Sequence, residues 1–287
     1  MDYRTLNIKD VKKIIFDQQF TQFPYLDNFK KNPYTYLKAR YYMYPSVFLV
    51  YVLLKSRITP NMVTICYCLC GIIGGIFLSI PNFQFNIIGV FIFFSKGILD
   101  WTDGQLARIK YKPTLTGHIL DVYGAILNSI GLTIGLGFFV FHQTNYQFLI
   151  YLIAVIAFLH SEVFTSAGKK IILEDLKVIL SKNKKIPDDS NKNVKNENST
   201  NNIQIKYPKW LNIFKDFFDD RARSVDFILL LIIIDIYLDY NLTFYIFLII
   251  SLRIFVRFIA SFFFGVRSRW AELYVEELKM NIRLKND

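Results

Sequence analysis

Cysteine is scarce in this chain. The three that occur, Cys66, Cys68 and Cys70, alternate inside one apolar run, which leaves no disulfide framework. On a helix, residues two apart point to opposite faces. A C-x-C-x-C set there scatters around the helix instead of closing on a soft metal, and packing is its expected role. No internal repeat is present, which sets aside repeat architectures. Residues 1–40 are polar and charged, so no secretory signal peptide is visible. Lys and Arg are missing altogether from the short segments 81–83, 142–144 and 240–241.

That last absence explains a net charge of +11, which at first resembles a nucleic-acid footprint. Of the 34 Lys and Arg, ten lie in 1–60, three in 102–116, thirteen in 167–223 and five after 266. Positive charge therefore falls on alternate sides of a succession of apolar runs, as the positive-inside rule requires for an even number of spans with cytoplasmic termini. No nucleic acid is needed to account for it. Attraction to anionic lipid follows as a weaker inference.

What the chain has in abundance is long apolar sequence, with 53% hydrophobic residues and a mean hydropathy of +0.30. Apolar residues are bunched into runs rather than spread at amphipathic spacing, which argues against soluble domains. A helical span needs roughly 17–25 largely apolar residues. The expectation is an all-α polytopic membrane protein with six spans, near 62–80, 84–101, 117–141, 145–166, 224–239 and 242–264. Residues 1–34 read as a soluble cytoplasmic leader, with a helix-like stretch from Asp10 to Phe16. Residues 35–55 mix Lys38, Arg40 and many tyrosines with a short apolar half that Pro45 interrupts. They read as a helix along the inner interface, because the apolar part is too short to span. Residues 182–206, rich in Asn and Lys, read as a cytoplasmic linker, and 271–287 as a cytoplasmic tail.

Chemistry concentrates at the inner end of the second expected span. Asp100 and Asp103 are three residues apart and share a helix face. Asp121 stands one turn into the antiparallel third span, where it faces them. Charged groups in or beside spans are costly and are functional candidates by default. Carboxylates converging there repel one another unless a cation lies between them, and hard oxygen donors suit Mg²⁺ or Mn²⁺. Gly104, Ala107 and Gly117 leave room for a ligand at the helix backbone. Arg108 offers a fork for phosphate. Each residue alone reads better as an ordinary loop with a D-G turn. The joint pattern D-x-x-D-G-x-x-A-R-x₈-G-x-x-x-D is another matter, with chance occurrence on the order of one in a million.

That pattern resembles the signature of the CDP-alcohol phosphotransferases. Ile58-Thr59-Pro60-Asn61-Met62-Val63-Thr64 is similar to the T-P-N-x-x-T that opens the first span in many members. The resemblance covers about 35–270, the expected membrane domain. It implies transfer of the substituted phosphate of a CDP-alcohol to an acceptor alcohol, with release of CMP. By position it makes Asp100, Asp103 and Asp121 metal ligands. Gly104, Ala107, Arg108 and Gly117 then shape the nucleotide pocket, beside Asn61 and Thr64. It also favours a homodimer. The signature continues to a fourth aspartate, the general base on the attacking hydroxyl, and here that position is Ala125. Alanine neither ligates a metal nor accepts a proton. Three readings follow: a member using another group such as Asn128, His118 or a metal-bound hydroxide; a nucleotide-binding relative without transfer activity; or an engineered substitution.

Lys96, one turn before Asp100, either pairs with it, binds acceptor phosphate, or snorkels to the interface. Arg253 and Arg257 in the sixth span are candidates for the acceptor pocket. Arg221, Arg223 and Asp226 read better as a solvated positive-inside flank. Glu162 is a remote substitute for the missing carboxylate. The expected function is lipid head-group transfer by a Mg²⁺- or Mn²⁺-dependent enzyme in the membrane, with termini and active site cytoplasmic. A transporter is disfavoured because the nucleotide-type motif lies in a cleft at the inner leaflet.

Overall fold

The computed structural model describes residues 5–30, 33–111, 113–160, 221–238 and 240–267; the expected linker, Glu162 and the tail lie outside them. All regular elements among the described residues are helical. They are α1 (Ile8–Gln22), a short 3₁₀ turn (Pro24–Asp27), α2 (Pro33–Leu54), α3 (Pro60–Ser79), α4 (Phe83–Lys110), α5 (Leu115–Thr144), α6 (Phe148–His160), α7 (Arg221–Leu238) and α8 (Leu242–Arg267).

Three of these, α3, α4 and α5, are long and apolar enough to cross a membrane. They correspond to the first three expected spans. α6 and the 242–256 part of α8 are shorter apolar helices within the described residues. Much of the apolar surface faces outward, including Ile65, Leu69, Ile72 and Ile76 on α3 and Ile88, Phe91 and Phe94 on α4. So much exposed apolar area is foreign to a soluble monomer and fits lipid contact. The chain is a membrane protein.

Local sequence sets the helix starts. Thr59 caps α3 by accepting from the Met62 N–H at 3.4 Å, with Pro60 in the first turn. Asn82 caps α4 through the Gln84 N–H at 2.9 Å, and Thr114 caps α5 through the Gly117 N–H at 3.1 Å. The α3–α4 hairpin is closed by buried Asn86, whose amide nitrogen reaches the carbonyls of Phe77, Leu78 and Ile80 at 3.2, 3.1 and 2.9 Å.

The core of the bundle is the α3–α5 contact, where glycine on both helices brings backbone against backbone. A Cβ at Gly131 would lie 1.9 Å from the Gly71 carbonyl oxygen, and one at Gly75 would lie 2.6 Å from the Gly131 oxygen. Only residues without a side chain allow this approach. Asn128 clamps the same seam, donating from Nδ2 to the Tyr67 and Gly124 carbonyls, both at 2.9 Å.

Two expectations from the sequence change. Pro45 does not interrupt α2, which runs unbroken from Pro33 to Leu54. The neighbouring Ser46 hydroxyl folds back onto the Met43 carbonyl at 2.9 Å, and the buried face of Ala39, Met43, Val47 and Val50 packs continuously past the proline. The leader helix is also longer than Asp10–Phe16. It opens at a capping box between Asn7 and Asp10 and runs to Gln22. Its Val11 and Ile15 are fully buried in one core with Met43 of α2, Val63 of α3 and Leu106 of α4.

Candidate active site

α4 does not end where its apolar stretch ends. It continues to Lys110, so every residue from Asp100 to Arg108 is helical and the D-G pair makes no turn. This excludes the ordinary-loop reading of the motif. Asp103 is buried at 7% exposure, and its Oδ2 accepts from the Thr64 hydroxyl of α3 at 2.5 Å. Thr64 and Asp103 are thus joined across the α3–α4 contact.

Asp100 on α4 and Asp121 on α5 lie close enough for each carboxyl to feel the other. Asp103 feels the charge of Asp121 as well. Asp100 lies near Asp121, while Asp103 is turned onto Thr64. Among the described residues, no group of three or more His, Cys, Asp or Glu stands ready to hold a metal ion. The Asp100–Asp121 pair nonetheless presents hard oxygen donors whose closeness demands a proton or a cation between them. That donor set fits Mg²⁺ or Mn²⁺.

The expected nucleotide residues lie around the same point. Asn61 Oδ1 is at Gly117, 3.3 Å from where a Cβ would stand. Gly104 lies beneath the Arg108 guanidinium, whose Nη1 would be 3.5 Å from an added Cβ. Arg108 is exposed, and Ala107 is half-buried beside it. Ala125 is half-buried on α5, one turn beyond Asp121.

Of the proposed substitutes for the missing carboxylate, Asn128 is fully buried and its Nδ2 is taken by backbone carbonyls. His118 is exposed. The cysteines are free thiols.

Lys96 lies in the field of Asp100, Lys38 and Asp226, with Nζ 5.7 Å from the Phe93 ring centroid. Asp226 differs from its expected place on a solvated flank. Its carboxylate is largely buried and takes both the Lys38 ammonium and the Tyr34 hydroxyl. Burial is tolerable because a cation and a hydroxyl satisfy it. Arg253 is half-buried on α8, and the Arg257 side chain lies outside the described residues.

Sequence reasoning missed Tyr67. It is buried at 5% exposure, and its phenol lies in the field of Asp100, Asp121 and Asp103. Gly124 makes this placement feasible, since a Cβ there would meet the Tyr67 ring at 2.6 Å. The available signal was helical spacing, Tyr67 being one turn beyond Thr64. Lys38, Tyr34 and Asp226 left no comparable pattern.

Residues 57–188 match the family model of the CDP-alcohol phosphatidyltransferases. Neither the curated proteins nor the solved structures contain a match to the chain.

Proposed function

From the match of residues 57–188 to the CDP-alcohol phosphatidyltransferase family model, we propose that the chain transfers the substituted phosphate of a CDP-alcohol to an acceptor alcohol. The acceptor oxygen attacks the β-phosphorus, the bond from that phosphorus to the oxygen bridging to CMP breaks, and CMP leaves. The observation that carries this reading is the convergence of Thr64, Asp100, Asp103 and Asp121 from three adjacent helices. Such charges are retained at membrane depth for chemistry or transport.

A divalent cation, Mg²⁺ or Mn²⁺, held by Asp100 and Asp121 with Asp103 beside them, would neutralise diphosphate charge and polarise the P–O bond. The chain's own residues supply the rest. Thr64 fixes the Asp103 carboxylate by a charge-assisted bond. Arg108 offers its planar fork to a phosphate oxygen. Asn61, Gly104, Ala107 and Gly117 form the surface on which the nucleotide lies. Lys96, one turn deeper than Asp100, faces the acceptor side, with Lys38, Asp100 and Asp226 around it. Arg253 and Arg257 complete the acceptor pocket. The working unit is a membrane domain at 35–270, six-spanning and homodimeric, with a leader at 1–34, a tail at 271–287 and the site facing the cytoplasm. On α2, exposed Leu37, Tyr41, Tyr44, Phe48 and Val52 recur at helical spacing, which supports its lying against the inner interface.

Ala125 supports one second reading: a relative that binds nucleotide but no longer turns it over. The test is metal-dependent CMP release from a CDP-alcohol by the purified protein in lipid. Release that is lost in Asp121→Asn establishes the transferase. No release from the unmodified chain, with release appearing in Ala125→Asp, establishes a disabled form. CMP binding without release in either establishes the binding protein. Neither binding nor release refutes both readings.

A further inference from the structure

The leader helix α1 sorts its charge by side. Val11, Ile15 and Gln19 are buried, and their burial fixes how the helix is rolled against the bundle. At about 100° per residue, Lys12, Phe16, Lys9, Phe20 and Lys13 follow one another, in that order, up one flank of this buried face. The three lysines are exposed. Asp10 and Asp17 come after them, past the crest of the helix. The basic flank is the one that touches α2. Phe16 meets the Tyr44 ring edge-on with 5.5 Å between centroids, and Lys12 Nζ stands 4.9 Å from the Tyr44 centroid. Tyr44 is 52% exposed and belongs to the outward row of α2 that includes Tyr41 and Phe48. The lysines beyond that contact therefore stand on the side of this row, away from the bundle core. On the turn after α1, exposed Phe29 packs on Tyr36 of α2 at 5.3 Å, one residue before the row begins at Leu37.

We infer that the Lys9, Lys12 and Lys13 flank of α1 is a docking surface for an anionic lipid leaflet, the one against which α2 lies. The inference rests on the reading of α2 as an interfacial helix and is independent of the transfer chemistry. Two observations choose the occupant. The flank is continuous with the exposed row of α2 through Tyr44, so a leaflet that meets the row meets the flank as well. Its composition, lysine interleaved with aromatic rings, is that of helices resting in the headgroup layer. Lysines near an anionic surface are attracted to it, and their carbon stems cover apolar surface, as Lys12 does over Phe16 and Tyr44. Asp10 and Asp17, past the crest, are turned from the leaflet toward water.

The test places the full chain in vesicles of phosphatidylcholine alone and of phosphatidylcholine mixed with phosphatidylserine, and reads amide hydrogen exchange along α1. In the unmodified chain, exchange slows by about tenfold to a hundredfold in the anionic vesicles, the range that three lysines at such a surface allow. High salt removes the difference. Lys9→Gln, Lys12→Gln and Lys13→Gln together abolish it, while Asp17→Asn leaves it in place. Each comparison is between two vesicles holding one variant, so any change in the stability of the helix itself cancels. Equal exchange of the unmodified chain in both vesicles overturns the inference, and so does a difference that survives in the triple variant. Phe48→Trp, with lipids brominated in their acyl chains, checks α2 separately. Quenching beyond that of the unmodified chain, without a charge effect on α1, overturns the inference alone. No added quenching overturns the interfacial reading of α2 and the inference with it.

Discussion

Gly131→Ala tests the packing on which the site depends. The added Cβ would lie 1.9 Å from the Gly71 carbonyl oxygen, and ordinary contact begins at 3.4 Å. The atom in the way is backbone, so no rotamer change relieves the clash, and α3 and α5 must part by about 1.5 Å at this level. Overpacking of this kind costs about 1–3 kcal/mol, well above the gain of up to about 1 kcal/mol that Ala has over Gly in a helix. The same parting moves Asp121 on α5 away from Thr64 and Tyr67 on α3. A displacement of about 1 Å at reacting groups costs on the order of a hundredfold in rate. The assay is unfolding of the purified protein by SDS in mixed micelles, followed by CMP release at matched folded protein. Gly104→Ala is the control for stability, because its Cβ meets only Arg108 at 3.5 Å, an ordinary contact. The reasoning is refuted if Gly131→Ala and Gly104→Ala unfold at the same SDS fraction.

Three further substitutions follow from single contacts. Thr64→Val keeps the side-chain shape and removes the donor to Asp103; a hydrogen bond to a charged group is worth about 1.5–3 kcal/mol, so CMP release should fall tenfold to a hundredfold. Asp235→Ala strips the buried carboxylate that accepts from the Leu242 N–H, the Thr243 N–H and the Thr243 hydroxyl at 2.9, 2.6 and 2.6 Å. It should destabilise the protein by about 2–4 kcal/mol in SDS unfolding, and it should leave the rate per folded molecule alone, since it closes the α7–α8 turn far from the carboxylates. Tyr67→Phe leaves the ring against Gly124 and removes only the phenol; CMP release should fall by up to about tenfold with no change in unfolding.

How much of this was legible in the sequence depended on whether a feature has a period. Apolar runs and the spacing Asp100, Asp103, Gly104, Arg108, Gly117, Asp121 are local, and helical geometry alone puts the first two aspartates on one face. The antiparallel hairpin then delivers Asp121. Caps were equally local: Thr59-Pro60 is both part of the family-like T-P-N and a helix start. Contacts between distant segments carried no such signature. Tyr34 and Asp226 bond across 192 residues, and nothing near either one announces the other. Positive-inside counting treated Asp226 as part of a flank because it weighs charge by segment rather than by partner. Pro45 misled for a related reason. Its cost to a helix is local, while the packing of Met43, Val47 and Val50 that offsets it is tertiary. The leader shows the limit most clearly. Its helix was legible only from Asp10 to Phe16, because what holds it is tertiary: Val11 and Ile15 are buried against Met43, Val63 and Leu106, and none of these announces the others in the sequence.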